Sequence, residues 1–219
     1  MDEKTALLFA KTKEFQYIVN KTEGFIKWAL AQVKNPYVAC SFGKDSAVML
    51  HLILKQKPDI QVIFIELEYS NLLNNYDEII DKWGNINLIR LNFGLGLGNH
   101  KEIKEIDKMG FDSAFIGLRQ DESTQRRIAL KRFGKFYTRK NGIVRIAPLS
   151  EWNLKHIEAY IYSNKLPTLM TYLKNGLKTR TTAGVTDIAR ERMLSELKKA
   201  DLNRYNSLLN HLPYLKDYV

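Results

Sequence analysis

Between Tyr37 and Asn164 the chain alternates short β-branched runs with helical stretches, and this alternation limits its fold more than any other feature. The runs are "YVACS" (37–41), "IQVIFIEL" (60–67), "INLIRL" (86–91), "SAFIGL" (113–118) and "IVRIAPL" (143–149). Apolar spacing predicts helices over 45–56, 71–83, about 121–132 and about 152–164, with a glycine-rich stretch "FGLGLGNHKEIKEIDKMG" before the fourth run. Strands that alternate with helices predict an α/β fold: a mostly parallel sheet with helices on both faces. Residues 3–34 read as an N-terminal helical layer that "KNP" (34–36) ends. The expected layout is an N-terminal helical segment (1–36) packed on the core, an α/β core (37–167), and a less regular, partly helical C-terminal segment (168–219) that completes the site. Ligands of such sheets lie at the carboxyl ends of the strands.

One such end is "SFGKDS", residues 41–46, which joins the first strand to a helix whose Val48, Met49, Leu52 and Ile53 share a face. A purely structural turn needs the glycine and one capping residue, for which Asp45 or Ser46 would serve. Lys44 is then unexplained. Backbone N–H groups turning into a helix N-terminus form an anion site, and a lysine beside them adds positive charge, so the turn reads as a phosphate-binding loop. It is not a Walker A loop, because G-x-x-x-x-G-K-[ST] does not occur.

The hexapeptide resembles the PP-loop, S-G-G-K-D-S, of the adenine-nucleotide α-hydrolase-like superfamily, which is Rossmann-like in fold. Three further stretches extend the likeness. "GFDSAFIGLRQDESTQR" (110–126) is similar to a strand ending in G-x-R-x-x-E with a further arginine, "VRIAPLSEWNLKHIEAYIYSNKLP" (144–167) to a P-L-x-x-W segment and its helix, and "TRTTAG" (179–184) to an R-[ST]-x-G segment. On these motifs the chain is identified as a member of the PAPS reductase and ATP sulfurylase small-subunit family. The resemblance implies nucleotide binding by Ser41, Phe42, Gly43, Lys44, Asp45, Ser46, Gly117, Arg119, Glu122, Arg126 and Arg180, with Lys44 and Arg119 in catalytic roles. ATP, or the sulfonucleotides APS and PAPS, is the implied ligand, with Mg²⁺ accompanying ATP. Arg119 suits a bidentate contact to phosphate or sulfate. Asp45 would cap the helix, hold Lys44 or help to position Mg²⁺. Glu122 and Arg126, at i and i+4, either face the nucleotide or pair with each other. Trp152 is read as core.

The departures from the family pattern are informative. Phe42 stands at the second position of the hexapeptide, where the motif has glycine. The second strand ends in "ELEYS" rather than Asp-Thr-Gly, leaving Glu66 or Glu68 to replace the aspartate. PAPS reductases attack the sulfonate with a thiolate from a C-terminal cysteine motif, and "LLNHLPYLKDYV" has no cysteine. The single cysteine, Cys40, reads as a small buried hydrophobe and excludes an internal disulfide, a cysteine-based metal cluster and a dithiol mechanism within one chain. The four histidines lack metal-ligand spacing. Three functions stand: ATP α–β cleavage with adenylyl transfer to an acceptor, by a nucleotidyltransferase or ATP pyrophosphatase; a PAPS reductase-like protein without its thiol; and a nucleic-acid-associated modification factor.

Charge bears on the third. Lys and Arg number 34 against 24 Asp and Glu, a formal net charge of +10 that suits polyanionic ligands or merely solubilises the surface. Residues 126–145 hold eight Lys or Arg and no acid, interleaved with Phe133, Phe136 and Tyr137. Such a stretch binds single-stranded nucleic acid through residues such as Arg132, Lys135, Arg139 and Lys140, closes over the small nucleotide, or is a solvated helix followed by a β-hairpin. No run of apolar residues reaches membrane-spanning length, and "MDEKTALLFAKTKEF" is charged where a signal peptide is apolar, so a cytoplasmic location is expected, with a second subunit or a homo-oligomer as partner.

Overall fold

The computed structural model describes residues 1–67, 76–93, 101–169, 172, 176–178, 191, 194–195, 197–199 and 201–218. Two helices open the chain, α1 (Glu3–Ala10) and α2 (Lys13–Gln32). The single helical layer expected over 3–34 is therefore broken, and Thr12 is the cause. Its hydroxyl donates to the Phe9 carbonyl at 2.7 Å and accepts from the Phe15 N–H at 3.2 Å, ending one helix and capping the next.

Strand β1 (Pro36–Ala39), helix α3 (Lys44–Leu54), strand β2 (Gln61–Leu67), helix α4 (Tyr76–Lys82) and strand β3 (Leu88–Phe93) follow. Next come α5 (Lys101–Lys108), β4 (Ser113–Ile116), a 3₁₀ turn (Gln120–Glu122), α6 (Thr124–Phe133), β5 (Phe136–Thr138), β6 (Val144–Ile146) and α7 (Leu154–Asn164). A last helix, α8 (Leu202–His211), leads into a 3₁₀ segment (Pro213–Tyr218), and Tyr205, Leu208, Leu212 and Leu215 form a small core there with Leu194.

The six strands form one sheet in the order β3-β2-β1-β4-β6-β5. Every pairing is parallel except β5 with β6, an antiparallel edge hairpin of the kind that is one of the three alternatives for residues 126–145. Period-two alternation divides the strand residues between two cores. Val38, Val62, Phe64, Phe115 and Ile146 face the larger core with Ile26 and Ala29 of α2, most of the buried face of α3, and Ile157, Tyr160 and Ile161 of α7. Tyr37, Ile63 and Ala114 face the other side, where Ile106 of α5 covers them. Each buried side chain of this size contributes about 1.5–3 kcal/mol relative to exposure. Trp152 is core as expected: it is buried, and its Nε1–H donates to Thr22 Oγ1 of α2 at 2.8 Å, tying the N-terminal helices to the start of α7.

In the order β2-β1-β4 the chain runs to one side of β1 and then to the other, so the switch point of the sheet lies at the carboxyl ends of β1 and β4. Among the described residues no helix is long and apolar enough to cross a membrane.

Candidate nucleotide site

The segment between β1 and α3 is held open by its own side chains. Ser46 Oγ donates to the Gly43 carbonyl at 3.0 Å and accepts from the Ser41 N–H at 3.3 Å, with Ser41 Oγ 3.2 Å away. Gly43 occupies the N-cap position of α3 without a side-chain cap. Neither Asp45 nor Ser46 caps the helix, so its first turn keeps donors without intrahelical acceptors at the sheet's switch point. Phe42 has φ 52°, a left-handed conformation that glycine adopts freely. That conformation accounts for the glycine in the motif. The phenylalanine is held there by burial at 1% exposure and by an edge contact to Phe64, ring centroids 5.2 Å apart.

A cleft of about 540 Å³ opens where α3 begins, a size within the rough 300–1,000 Å³ of small-molecule sites. Ser41, Gly43, Lys44, Asp45 and Ser46 form one wall, with Gly117 beside them at the exit of β4. Glu122 and Arg126 form another, and the apolar Ile63 and Ile65 of β2 a third. Gly117 lies so close to α3 that a Cβ there would sit 3.1 Å from the Ser46 nitrogen and 3.2 Å from its Cα. The structure thus brings together most of the residues singled out in the sequence.

Two sit elsewhere. Phe42 points into the core. Arg119 is buried behind the wall, its Nε donating to Asp45 Oδ1 at 2.6 Å and its Nη1 to Asp121 at 3.2 Å. The end of β4 directs the Arg119 guanidinium, of which a bidentate anion contact was expected, at Asp45 on the first turn of α3. Arg180, with its "TRTTAG" segment, lies outside the described residues. Glu68 does too. Glu66, the alternative to it, is buried against Arg90 of β3, which donates to Glu66 from Nε and, at 2.7 Å, from Nη2, so its carboxylate is already used. Glu122 and Arg126 form the i, i+4 pair, and Glu122 also accepts from the Arg119 N–H at 3.0 Å.

Tyr172 was not singled out in the sequence. Its hydroxyl accepts from the Lys44 N–H at 3.4 Å, and its ring lies 5.1 Å from Lys44 Nζ in a cation–π arrangement. Nothing local marks it, since the contact spans 128 residues. Ser123 and Gln125 also line the cleft, and Ser123, as the N-cap of α6, accepting from the Arg126 N–H at 3.2 Å, was legible as a helix start.

Burial raises the pKa of Asp45, with Arg119 and then Lys44 opposing the shift. Burial also pushes the Cys40 thiol up to about 12; it lies at the base of the cleft but is only 3% exposed. Among the described residues no group of three or more His, Cys, Asp or Glu side chains could hold a metal ion. The two carboxylates of the cleft, Asp45 and Glu122, are each committed to an arginine, which does not fit a magnesium ion held by the protein itself.

Known proteins resemble this chain in sequence and in fold. The family model described as the phosphoadenosine phosphosulfate reductase domain matches residues 35–93 and 99–201. A phosphoadenosine 5′-phosphosulfate reductase of Buchnera aphidicola is 28% identical over 174 residues, covering 67% of this chain and 69% of the relative. A sulfate adenylyltransferase subunit 2 of Marinomonas is also 28% identical, over 192 residues; the chain spans 63% of that protein's length. Among solved structures, the phosphoadenylyl-sulfate reductase of Candida auris in its phosphate complex shares the fold, with a TM-score of 0.51 at 18% identity over 75% of this chain and 92% of that one. With its PP-loop at the switch point of a mostly parallel sheet and the family model matched over most of its length, the chain belongs to the PAPS reductase and ATP sulfurylase small-subunit family of nucleotide-binding enzymes.

Proposed function

We propose that the protein binds ATP in the cleft at the start of α3 and transfers its adenylyl group to an acceptor, releasing pyrophosphate. The observation that carries this reading is Lys44, which lines the cleft on the first turn of α3 with Tyr172 behind it. In-line displacement at the α-phosphorus needs the acceptor oriented opposite the leaving group and the growing charge on pyrophosphate neutralised. The ammonium of Lys44 and the first-turn N–H groups of α3 other than that of Lys44, which donates to Tyr172, supply the second requirement. Ile63 and Ile65 offer an apolar wall for the adenine. Arg119 acts as a positioning residue: through Asp45 it fixes the first turn of α3 against the exit of β4. Magnesium enters only as the counter-ion carried by the ATP substrate.

The reductase reading has less support. A thiolate is the nucleophile for that chemistry, and the one cysteine in the sequence is buried with its thiol pushed up to about 12. Calorimetric titration of Lys44→Ala with ATP tests the assignment. A charge-assisted contact of this kind contributes about 1.5–3 kcal/mol, a loss of roughly tenfold to a hundredfold in affinity. Unchanged affinity in a folded variant would remove the site from consideration.

A further inference from the structure

Helix α6 connects the cleft to an outer surface of unusual composition. Of its ten residues only Leu130 is buried. A helix kept solely for packing would bury an apolar stripe. Instead Gln125 and Arg126 reach the cleft, while Arg127, Ile128, Lys131, Arg132 and Phe133 are exposed. Arg127 and Lys131, and Ile128 and Arg132, are i, i+4 neighbours on one face. Among the described residues no carboxylate pairs with Arg127, Lys131, Arg132, Arg139 or Lys140. By contrast Lys135 is engaged by Glu151 at 3.2 Å and lies over the Phe25 ring, so it does not belong to the free set.

Aromatic rings stand among these cations. Phe133, 52% exposed, stacks on Tyr137 with centroids 5.4 Å apart and planes 28° from parallel. The Arg132 guanidinium lies 5.2 Å from the centre of the Phe133 ring. Unpaired cations along a helix beside an exposed, already stacked aromatic pair match a phosphate backbone with unstacked bases. A duplex would offer the phosphates but not the free base faces.

We infer that the exposed face of α6 and the β5–β6 hairpin form a docking surface for single-stranded nucleic acid, and that the bound strand is the adenylyl acceptor. The second clause rests on the function proposed above. In the transfer step a lone pair on an oxygen or nitrogen of the strand attacks the α-phosphorus. The bond from that phosphorus to the bridging oxygen breaks, pyrophosphate leaves with the electron pair, and any proton on the acceptor atom passes to solvent. No oxidant or reductant is consumed. Gln125 and Arg126 place the surface and the cleft on one helix, so a strand lying along α6 reaches the cleft without a moving part.

Fluorescence anisotropy with labelled single-stranded RNA and DNA oligonucleotides of mixed sequence, at two salt concentrations, tests the surface. Each phosphate neutralised contributes about −0.7 to the log–log salt slope. The triple variant Arg127→Ser, Lys131→Ser, Arg132→Ser is expected to flatten that slope by about 2 while ATP affinity is unchanged. Phe133→Ser is expected to weaken single-strand binding roughly tenfold, as loss of one stacking contact does. Absence of oligonucleotide binding by the wild type at low salt overturns the surface, and so does a triple variant with the wild-type slope. Equal affinity for duplex and single strand overturns the single-strand reading. For the acceptor clause, pyrophosphate release from ATP should rise when the oligonucleotide is added to the wild type, and not to the triple variant. Binding without that rise overturns the acceptor clause alone. Lys44→Ala separates the two ideas, since its failure to affect ATP binding would remove the nucleotide site and leave the anisotropy result standing.

Discussion

Arg119 and Asp45, 74 residues apart in the chain, are joined by an Nε–H···Oδ1 bond of 2.6 Å that runs from the end of β4 to the first turn of α3. Both side chains are largely buried, 4% and 14% exposed. Arg119→Met keeps the aliphatic volume but leaves the Asp45 carboxyl without its main partner, and breaking a buried pair in this way costs about 3–5 kcal/mol. The pH dependence carries a distinct sign. Burial raises the folded pKa of Asp45 above 3.8, so the folded state binds its proton more tightly than the unfolded chain. Its contribution to stability is present below 3.8 and is lost as pH rises through the folded value. Asp45→Asn lacks this slope, so its deficit relative to wild type is largest in acid and shrinks as pH rises. Urea midpoints of both proteins from about pH 4 to about pH 7 check it.

Phe42 combines a strained backbone with a well-packed ring. A left-handed conformation costs a non-glycine residue about 1–2 kcal/mol, whereas removing a buried phenylalanine costs about 3–5. Packing wins. Phe42→Gly is expected to destabilise the fold by about 2–3 kcal/mol although it restores the glycine of the motif. Phe42→Ala loses the ring and keeps the strain, so it should fall below Phe42→Gly by about 1 kcal/mol. Thermal or urea unfolding of the three proteins gives the order, and an alanine variant more stable than the glycine one would contradict it.

How much of this was legible in the sequence follows from the range of the interactions. Strands β1 to β4 and β6 and the α3, α6 and α7 helices could be read because their signals are local: β-branched runs and apolar spacing. The break at Thr12 was also local, but the apolar pattern continues across it and conceals the cap. The wall from Ser41 to Ser46 was found because its residues are contiguous. The actual partner of Arg119 was not, since strand order decides which loop faces β4 and no spacing encodes it. Tyr172 illustrates the same limit, lying far along the chain in a stretch without periodicity. Glu66 reads as a free carboxylate until β3 sets Arg90 beside it.

Two glycines in different surroundings give opposed expectations. Gly24 lies inside α2 with nothing within 4 Å of an added Cβ, so Gly24→Ala should stabilise by about 0.5–1 kcal/mol through helix propensity. At Gly117 the same methyl would meet the Ser46 backbone at 3.1 Å. Backbone in the first turn of a helix yields less readily than a side-chain tip, and overpacking of this kind costs about 1–3 kcal/mol. Gly117→Ala should therefore lower both stability and ATP affinity, because the group displaced is the wall of the cleft. A Gly117→Ala protein that binds ATP as the wild type does would mean that the close approach is not needed to shape the site.

Cys40 gives the last expectation, and it bears on which chemistry the family member retains. The thiol is 3% exposed and its pKa is raised from 9.0 to about 12 by burial, with the Phe42 N–H and Ser46 hydrogen bonds opposing. A folded pKa above the unfolded one means stability that is complete below 9.0 and is lost as pH rises towards 12. Between 9.0 and 10.0 the unfolded thiol ionises and the folded one does not, a loss of about 1 kcal/mol that Cys40→Ala should abolish. Buried tyrosines add to the decline only as their unfolded value of 10.0 is approached, so comparing slopes below it isolates the cysteine. The native protein should accordingly react slowly with a thiol reagent and release its single thiol equivalent on unfolding. Burial that disfavours the thiolate makes Cys40 a poor nucleophile towards a nucleotide bound by the same fold. Sulfite release from PAPS, with thioredoxin supplied, is therefore expected to be absent, and release that Cys40→Ser abolishes would make Cys40 the nucleophile and restore the reductase reading.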